Sequence, residues 1–200
     1  MLNGAFLPDW LAPAIVWLMR AAFVGLLAQI CISDFRIRRI PNRLVLAGLI
    51  VALVWQTLGA AGSGLFDSAT PGALGVSAAA SGAFAAFTGF LLLHLLRMMG
   101  AGDVKLMAML GAFFGLDALP MLVLLVFLTG GALALLRMAN GERRRAVFTN
   151  LKIILFGRLA GVAGPQFDPR TDSADRLPFA LAISGGACLL AALQWAGVVA

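Results

Sequence analysis

Six apolar runs, near residues 11–33, 44–61, 73–96, 104–116, 118–138 and 177–199, leave this 200-residue chain few ways to fold. A helix needs ~20 mainly apolar residues to cross a bilayer. Five runs have about that length. The run 104–116 is shorter, follows Gly100-Ala101-Gly102-Asp103, and either begins below the membrane surface or leans on Ala118–Pro120 for length. Composition agrees with the runs. Hydrophobic residues make up 62% and charged residues 12% of the chain, against roughly 45–50% and 25% in soluble domains. A soluble fold of this size would lack the polar side chains to cover its surface. The expected fold is therefore all-α: a polytopic membrane protein, a six-transmembrane-helix bundle forming one domain over residues 1–200.

Basic residues orient the spans, because cytoplasmic loops are enriched in Lys and Arg. Arg36, Arg38, Arg39 and Arg43 lie between the first two spans. Arg97 and Lys105 flank the loop between the third and fourth. Arg137, Arg143, Arg144, Arg145, Lys152, Arg158, Arg170 and Arg176 lie between the fifth and sixth. The intervening loops, around 62–72 and 116–119, hold none. Loops one, three and five are thus read as cytoplasmic and both termini as periplasmic, in a bacterial inner membrane. Trp10, Trp17, Trp55 and Trp195 all fall toward the outer ends of their spans, where indole rings favour the interface. Arg20 is the misfit, and either snorkels outward or pairs inside the bundle.

The long polar stretch 140–176 contains Val147, Leu151, Ile154, Leu155 and Leu159 at helical spacing, which predicts an amphipathic helix on the inner surface. A seventh span is the competing reading, but it reverses the last span and strands Lys152 and Arg158 in lipid. Pro165 to Arg176 reads as a polar connector. Gly111-x-x-x-Gly115 and Ala78-x-x-x-Gly82-x-x-x-Ala86 are small-residue stripes that let helices approach closely. No internal repeat is visible.

Several function classes drop out. Cys31 and Cys188 are too few for a disulfide framework or a four-thiolate zinc site. A single histidine, His94, excludes a His-rich metal or haem cage and reads as a packed or interfacial residue. The net charge of +6 sits beside apolar stretches and sets topology, so no nucleic-acid partner is expected. No Lys or Arg precedes Arg20, so a secretory signal is not expected. Ala28-Gln29-Ile30-Cys31 is a poor lipoprotein box, with bulky Ile30 before the cysteine.

Seven of the nine acids fall in loops: Asp9, Asp67 and Asp117 outside, Glu142, Asp168, Asp172 and Asp175 in the long cytoplasmic loop. Asp34 closes span one and Asp103 opens span four, both at the cytoplasmic seam. Carboxylates at that depth are costly and hence functional candidates. Two close carboxyls do not readily both ionise, so one keeps a proton. Such a pair is an acid and a base together, able to deprotonate a water and protonate a carbonyl, as peptide hydrolysis without a covalent intermediate requires. Asp103 is expected to cap span four, in an irregular loop where Gly100 and Gly102 permit positive φ and let backbone approach backbone or substrate closely. Helix dipoles then favour the charge on Asp103 and the proton on Asp34, unless Arg36 and Arg38 reverse the order.

Gly100-Ala101-Gly102-Asp103-Val104-Lys105 and Asp34-Phe35-Arg36-Ile37-Arg38-Arg39-Ile40-Pro41-Asn42 resemble the two motifs of the GxGD intramembrane aspartyl proteases, specifically the bacterial type IV prepilin peptidases. Arg176-Leu177-Pro178-Phe179 is similar to the opening of that family's last span. The resemblance implies removal of a prepilin's basic leader at the cytoplasmic membrane face. It implies Asp34 and Asp103 as catalytic pair, and Gly100, Gly102, Lys105, Pro41 and Asn42 as site-shaping residues. No metal or cofactor is implied. The implied partners are a prepilin with basic leader and apolar helix, the lipid bilayer, and pilus assembly machinery. Larger members carry a cysteine tetrad and also N-methylate the product, a site Cys31 and Cys188 cannot form. A peptidase without that cysteine site is similar to the short CpaA/TadV-type peptidases of tight-adherence (Flp) pilus systems, which is the specific expectation. The rival readings are a non-catalytic subunit of a pilus or secretion assembly and a proton-coupled transporter.

Overall fold

The computed structural model describes residues 11–138 and 179–199. It contains α1 (Leu11–Ile37), α2 (Asn42–Leu58), α3 (Val76–Leu95), α4 (Ala101–Phe114), α5 (Leu119–Met138) and α6 (Phe179–Trp195). Each helix coincides with one apolar run to within a few residues, and no strand occurs among the described residues. The fold is that of a helical membrane protein. Helices α1, α3 and α5 are long and apolar enough to cross a bilayer, and α2 and α6 are shorter apolar helices. The surface helix expected within 140–176 and the connector after Pro165 lie outside the described residues. The chain divides into two compact units, Met1–Thr129 with Pro178–Ala200, and Gly130–Leu177. Of the second, residues 130–138 are described, the last turns of α5.

Helix α4 is the buried element of the first unit. Leu106, Met107, Met109, Leu110 and Ala112 are fully inaccessible, and Val104 and Phe113 nearly so. A helix apolar on all sides must be surrounded by protein or lipid. Here protein surrounds it: α2, α3 and α6 pack on α4, while α1 packs on α2 and α6. This is why the shortest apolar run suffices for α4.

The small-residue stripes meet each other. A Cβ on Gly82 would collide with the Gly111 carbonyl oxygen and come within 2.7 Å of the Gly115 backbone. A Cβ on Gly111 would collide in turn with the Gly82 carbonyl and stand 3.0 Å from Ala86 Cβ. Gly115 ends α4 with φ 76, a conformation open to glycine, and its N–H bonds to Gly111 O at 2.9 Å. On the other side, α5 lies against α6: a Cβ on Gly186 would be 2.7 Å from Val126 Cα. Thr129 Oγ1 donates to Ala182 O at 2.7 Å.

Gln56 pins the far end of α4. It is 3% exposed. Its Nε2 donates to Ala112 O and Phe113 O at 3.3 Å each, and its Oε1 accepts Leu74 N–H at 2.7 Å and Gly75 N–H at 3.2 Å. One side chain therefore joins α2, the C-terminus of α4 and the entry to α3. Replacing Gln56 by Leu keeps the bulk but orphans both donors and carbonyls. We expect a loss of about 3 kcal/mol, read by thermal unfolding in micelles; an unchanged melting temperature would refute this role.

Arg20 turns toward the α2–α3 connection. Its Nε donates to Leu65 O at 2.9 Å and Nη2 to Asp67 O at 3.2 Å, and the guanidinium lies 5.1 Å from the Trp17 ring centroid. A cation on an apolar helix thus satisfies itself on loop carbonyls that have no ladder partner. Beneath it, Phe23 packs edge-on against Phe66, Phe113 and Phe114 with centroids 5.0, 4.9 and 5.7 Å away. The tryptophans divide. Trp17 and Trp195 are exposed and meet edge to face at 6.1 Å, as expected of interfacial rings. Trp55 does not follow the expected pattern: it is buried, 5% exposed, under Gly59 of the same connection. Gly59, at the start of the connection, lies against its ring where an open membrane surface was expected.

Candidate active site

Two short elbows carry the candidate acids, and they are built alike. The first joins α1 to α2. Asp34 stands in the last turn of α1, and the helix closes when Arg38 takes φ 54 with its N–H on Asp34 O at 2.9 Å. Ser33 Oγ then holds Arg39 O at 3.2 Å. Pro41, φ −66, is the N-cap of α2, its fixed φ suited to a helix start, and its carbonyl accepts the Leu44 N–H at 3.1 Å. The second elbow joins α3 to α4. Arg97 takes φ 60, its N–H bonds to His94 O at 2.9 Å, and Met98 N–H bonds to Leu93 O at 3.0 Å. His94 Nδ1 lies 2.8 Å from Met99 O. In each elbow a left-handed arginine ends the helix, and a side chain from its last turn ties down a carbonyl of the connection.

The elbows touch. Gly102 faces Ile40, and a Cβ there would stand 3.2 Å from Ile40 Cβ. Lys105 Nζ donates to Asn42 Oδ1 at 3.1 Å. Asp34 and Asp103, 69 positions apart by number, stand one on each of these touching elbows and are both half-buried. Asp103 Oδ2 rests on Gly100, 3.1 Å from where a Cβ there would stand, so that the Gly100 N–H bears on its carboxyl, and the N–H of Ala180, in the first turn of α6, bears on that of Asp34.

Three expectations for this region change. Helix α4 begins at Ala101 with Gly100 as N-cap, so Asp103 is the third helical residue rather than the cap, and the tetrad is largely helical rather than an irregular loop. Asp103 reaches back to the N-cap N–H, the reciprocal half of a capping box. Neither Gly100 nor Gly102 has positive φ; Gly100 sits at φ −75. What these positions need is absence of a Cβ: at Gly102 for Ile40, and at Gly100 for Asp103 Oδ2, which lies 3.1 Å from where that Cβ would stand. The dipole argument changes for Asp34 alone, since Asp103 stays in the first turn of α4. Asp34 lies at the C-terminus of α1 but faces the N-terminus of α6, so both acids receive an amide from a helix start.

All seven residues singled out from sequence, Asp34, Asp103, Gly100, Gly102, Lys105, Pro41 and Asn42, thus lie on these two elbows. Sequence reasoning missed the Ala180 amide, which leaves no signal in residue identity, and the engagement of His94. The signal for His94 was its position one turn before Arg97, at the mouth of the glycine-flanked elbow. Chemically, two carboxyls on touching elbows offer the groups of an acid and a base.

A model of the type IV leader peptidase family matches residues 21–135, more than half of the chain and inclusive of both elbows. The prepilin leader peptidase/N-methyltransferase of Pseudomonas aeruginosa is 34% identical over 120 residues, covering 59% of this chain. The chain spans 41% of the length of that relative. No solved structure matches it.

Proposed function

The chain belongs to the type IV leader peptidase family, and we propose that it is an aspartic endopeptidase that removes the basic leader of Flp-type prepilins at the cytoplasmic membrane face. Asp34 and Asp103 are its acid and base. The observation that carries this reading is that the two elbows bearing these half-buried carboxyls touch, with Gly102 against Ile40 and Lys105 Nζ on Asn42 Oδ1 at 3.1 Å. The substrate's chemistry suits the position. A basic leader stays on the cytoplasmic side while the adjoining apolar helix inserts, which leaves the scissile bond near the inner interface.

In the proposed reaction the ionised carboxyl takes a proton from water as the oxygen attacks the scissile carbonyl carbon. The protonated carboxyl gives its proton to the carbonyl oxygen. The resulting gem-diol collapses with proton transfer to the departing amine, so the pair ends with the one proton it began with. Gly100 and Ala180 amides steady the two carboxyls. Lys105 and Asn42 hold the elbows in register, Pro41 starts α2 there, and Gly102 lets Ile40 close on α4.

The full chain in lipid, given a prepilin in heavy-oxygen water, should release leader whose new C-terminal carboxylate carries one heavy oxygen, read by mass spectrometry. An intact prepilin, or leader formed without the label, would sink the proposal.

A further inference from the structure

We propose that His94 is a positioning residue for Asp103, acting through the one peptide group between Met99 and Gly100. The inference rests on the reading of Asp103 as one of the two reacting acids. His94 stands half-buried in the last turn of α3, with Nδ1 2.8 Å from the Met99 carbonyl oxygen. A carbonyl only accepts, so Nδ1 carries the proton of the neutral ring and Nε2 is left as acceptor. The same peptide group contributes the N–H of Gly100, the residue on which Asp103 Oδ2 rests, 3.1 Å from where a Cβ there would stand, and that N–H bears on the carboxyl. In a planar trans peptide the C=O and N–H point to opposite sides. The imidazole therefore grips one side of this group and the reacting carboxyl the other.

This peptide is the weak point of the elbow. A residue without a Cβ follows it, so turning the plane over meets little steric resistance. The turn would remove the N–H from Asp103 and bring a carbonyl oxygen toward the acid. Hydrogen bonding at the carbonyl also polarises the group and strengthens donation from its N–H. The Gly100 carbonyl, one bond series further, accepts the first helical N–H groups, Asp103 at 3.2 Å and Val104 at 3.4 Å. The ring of His94 thus sets the plane from which α4 starts and against which Asp103 rests. Ser33, on the other elbow, holds Arg39 O and does not engage the peptide that contacts an acid.

The test measures leader cleavage by the full-length protein in lipid, with Asp103→Asn as reference. His94→Leu should lower kcat about 10- to 100-fold with KM unchanged, as a misplaced reacting group does. His94→Asn, whose side-chain amide reaches the position of Nδ1, should recover most of the rate. His94→Gln, whose amide reaches that of Nε2, should not. Nitrogen-15 spectra of the labelled histidine should show the Nδ1–H tautomer. Full activity in His94→Leu, or Leu, Asn and Gln variants that are equally slow, would reduce His94 to a packing residue and overturn the inference. If the Leu variant does not accumulate, the Asn–Gln contrast decides alone. Wild-type cleavage by Asp103→Asn would instead remove the reading on which the inference stands.

Discussion

Asp34→Asn and Asp103→Asn should each slow leader removal by about 10³-fold or more, the scale of an acid–base contribution, while the protein still accumulates in the membrane. Asparagine keeps the size and the ability to accept from the Ala180 or Gly100 N–H, so little of the surrounding packing is disturbed. What it cannot do is exchange a proton. With Asn at 103, Asp34 can act as base or as acid but has no partner for the complementary step; the reverse holds with Asn at 34. The double variant should be hardly slower than either single one, because residues that act as a unit lose their effects together rather than additively. Cleavage at near wild-type rate in one single variant would exclude that residue from the reacting pair. Multiplicative losses in the double variant would show two independent contributions and reject the shared-proton mechanism.

The second large effect concerns packing. Gly82→Ala and Gly111→Ala should each destabilise the protein by about 3 kcal/mol, the upper part of the range for overpacking. The reason is that the added methyl meets backbone: Gly82 against the Gly111 carbonyl, Gly111 against the Gly82 carbonyl. A flexible side chain can move aside by rotating, whereas a carbonyl in a helix moves only if the helix moves. Separating α3 from α4 also opens the elbow between them, so leader cleavage should fall with stability. Gly89 is the internal control. It lies in the same helix as Gly82, with nothing within 4 Å of where an added methyl would stand. Gly89→Ala should therefore be neutral or gain up to about 1 kcal/mol from helix propensity. Thermal unfolding in micelles compares the three. Equal melting temperatures for Gly82→Ala and Gly89→Ala would show that the close approach is not required.

The glycine and alanine stripes in α3 and α4 are periodic features, and small residues at four-residue spacing mark one face of a helix whatever that helix packs against. The Asp34 and Asp103 neighbourhoods are local strings, legible as motifs. Gln56 offered no comparable signal. A single amide in an apolar helix has meaning only when the carbonyls of Ala112 and Phe113 and the amides of Leu74 and Gly75 come within its reach. Trp55 shows the converse: its position along α2 suggested an interface, and the packed bundle made it core.

What the order of residues determined alone was the run of the six described helices and the helix ends at which the two acids sit. Both follow from short-range physics: lipid demands long apolar helices whose backbone groups bond internally, and a helix end is marked by residues within one turn of it. Tertiary structure decided which groups meet. The Ala180 amide comes to Asp34 from the far end of the chain, Arg20 finds the carbonyls of Leu65 and Asp67, and His94 and Asp103 share one peptide group. Such meetings depend on the crossing of α1, α3, α4 and α6, which side-chain volumes at buried glycines and alanines set and no local string encodes.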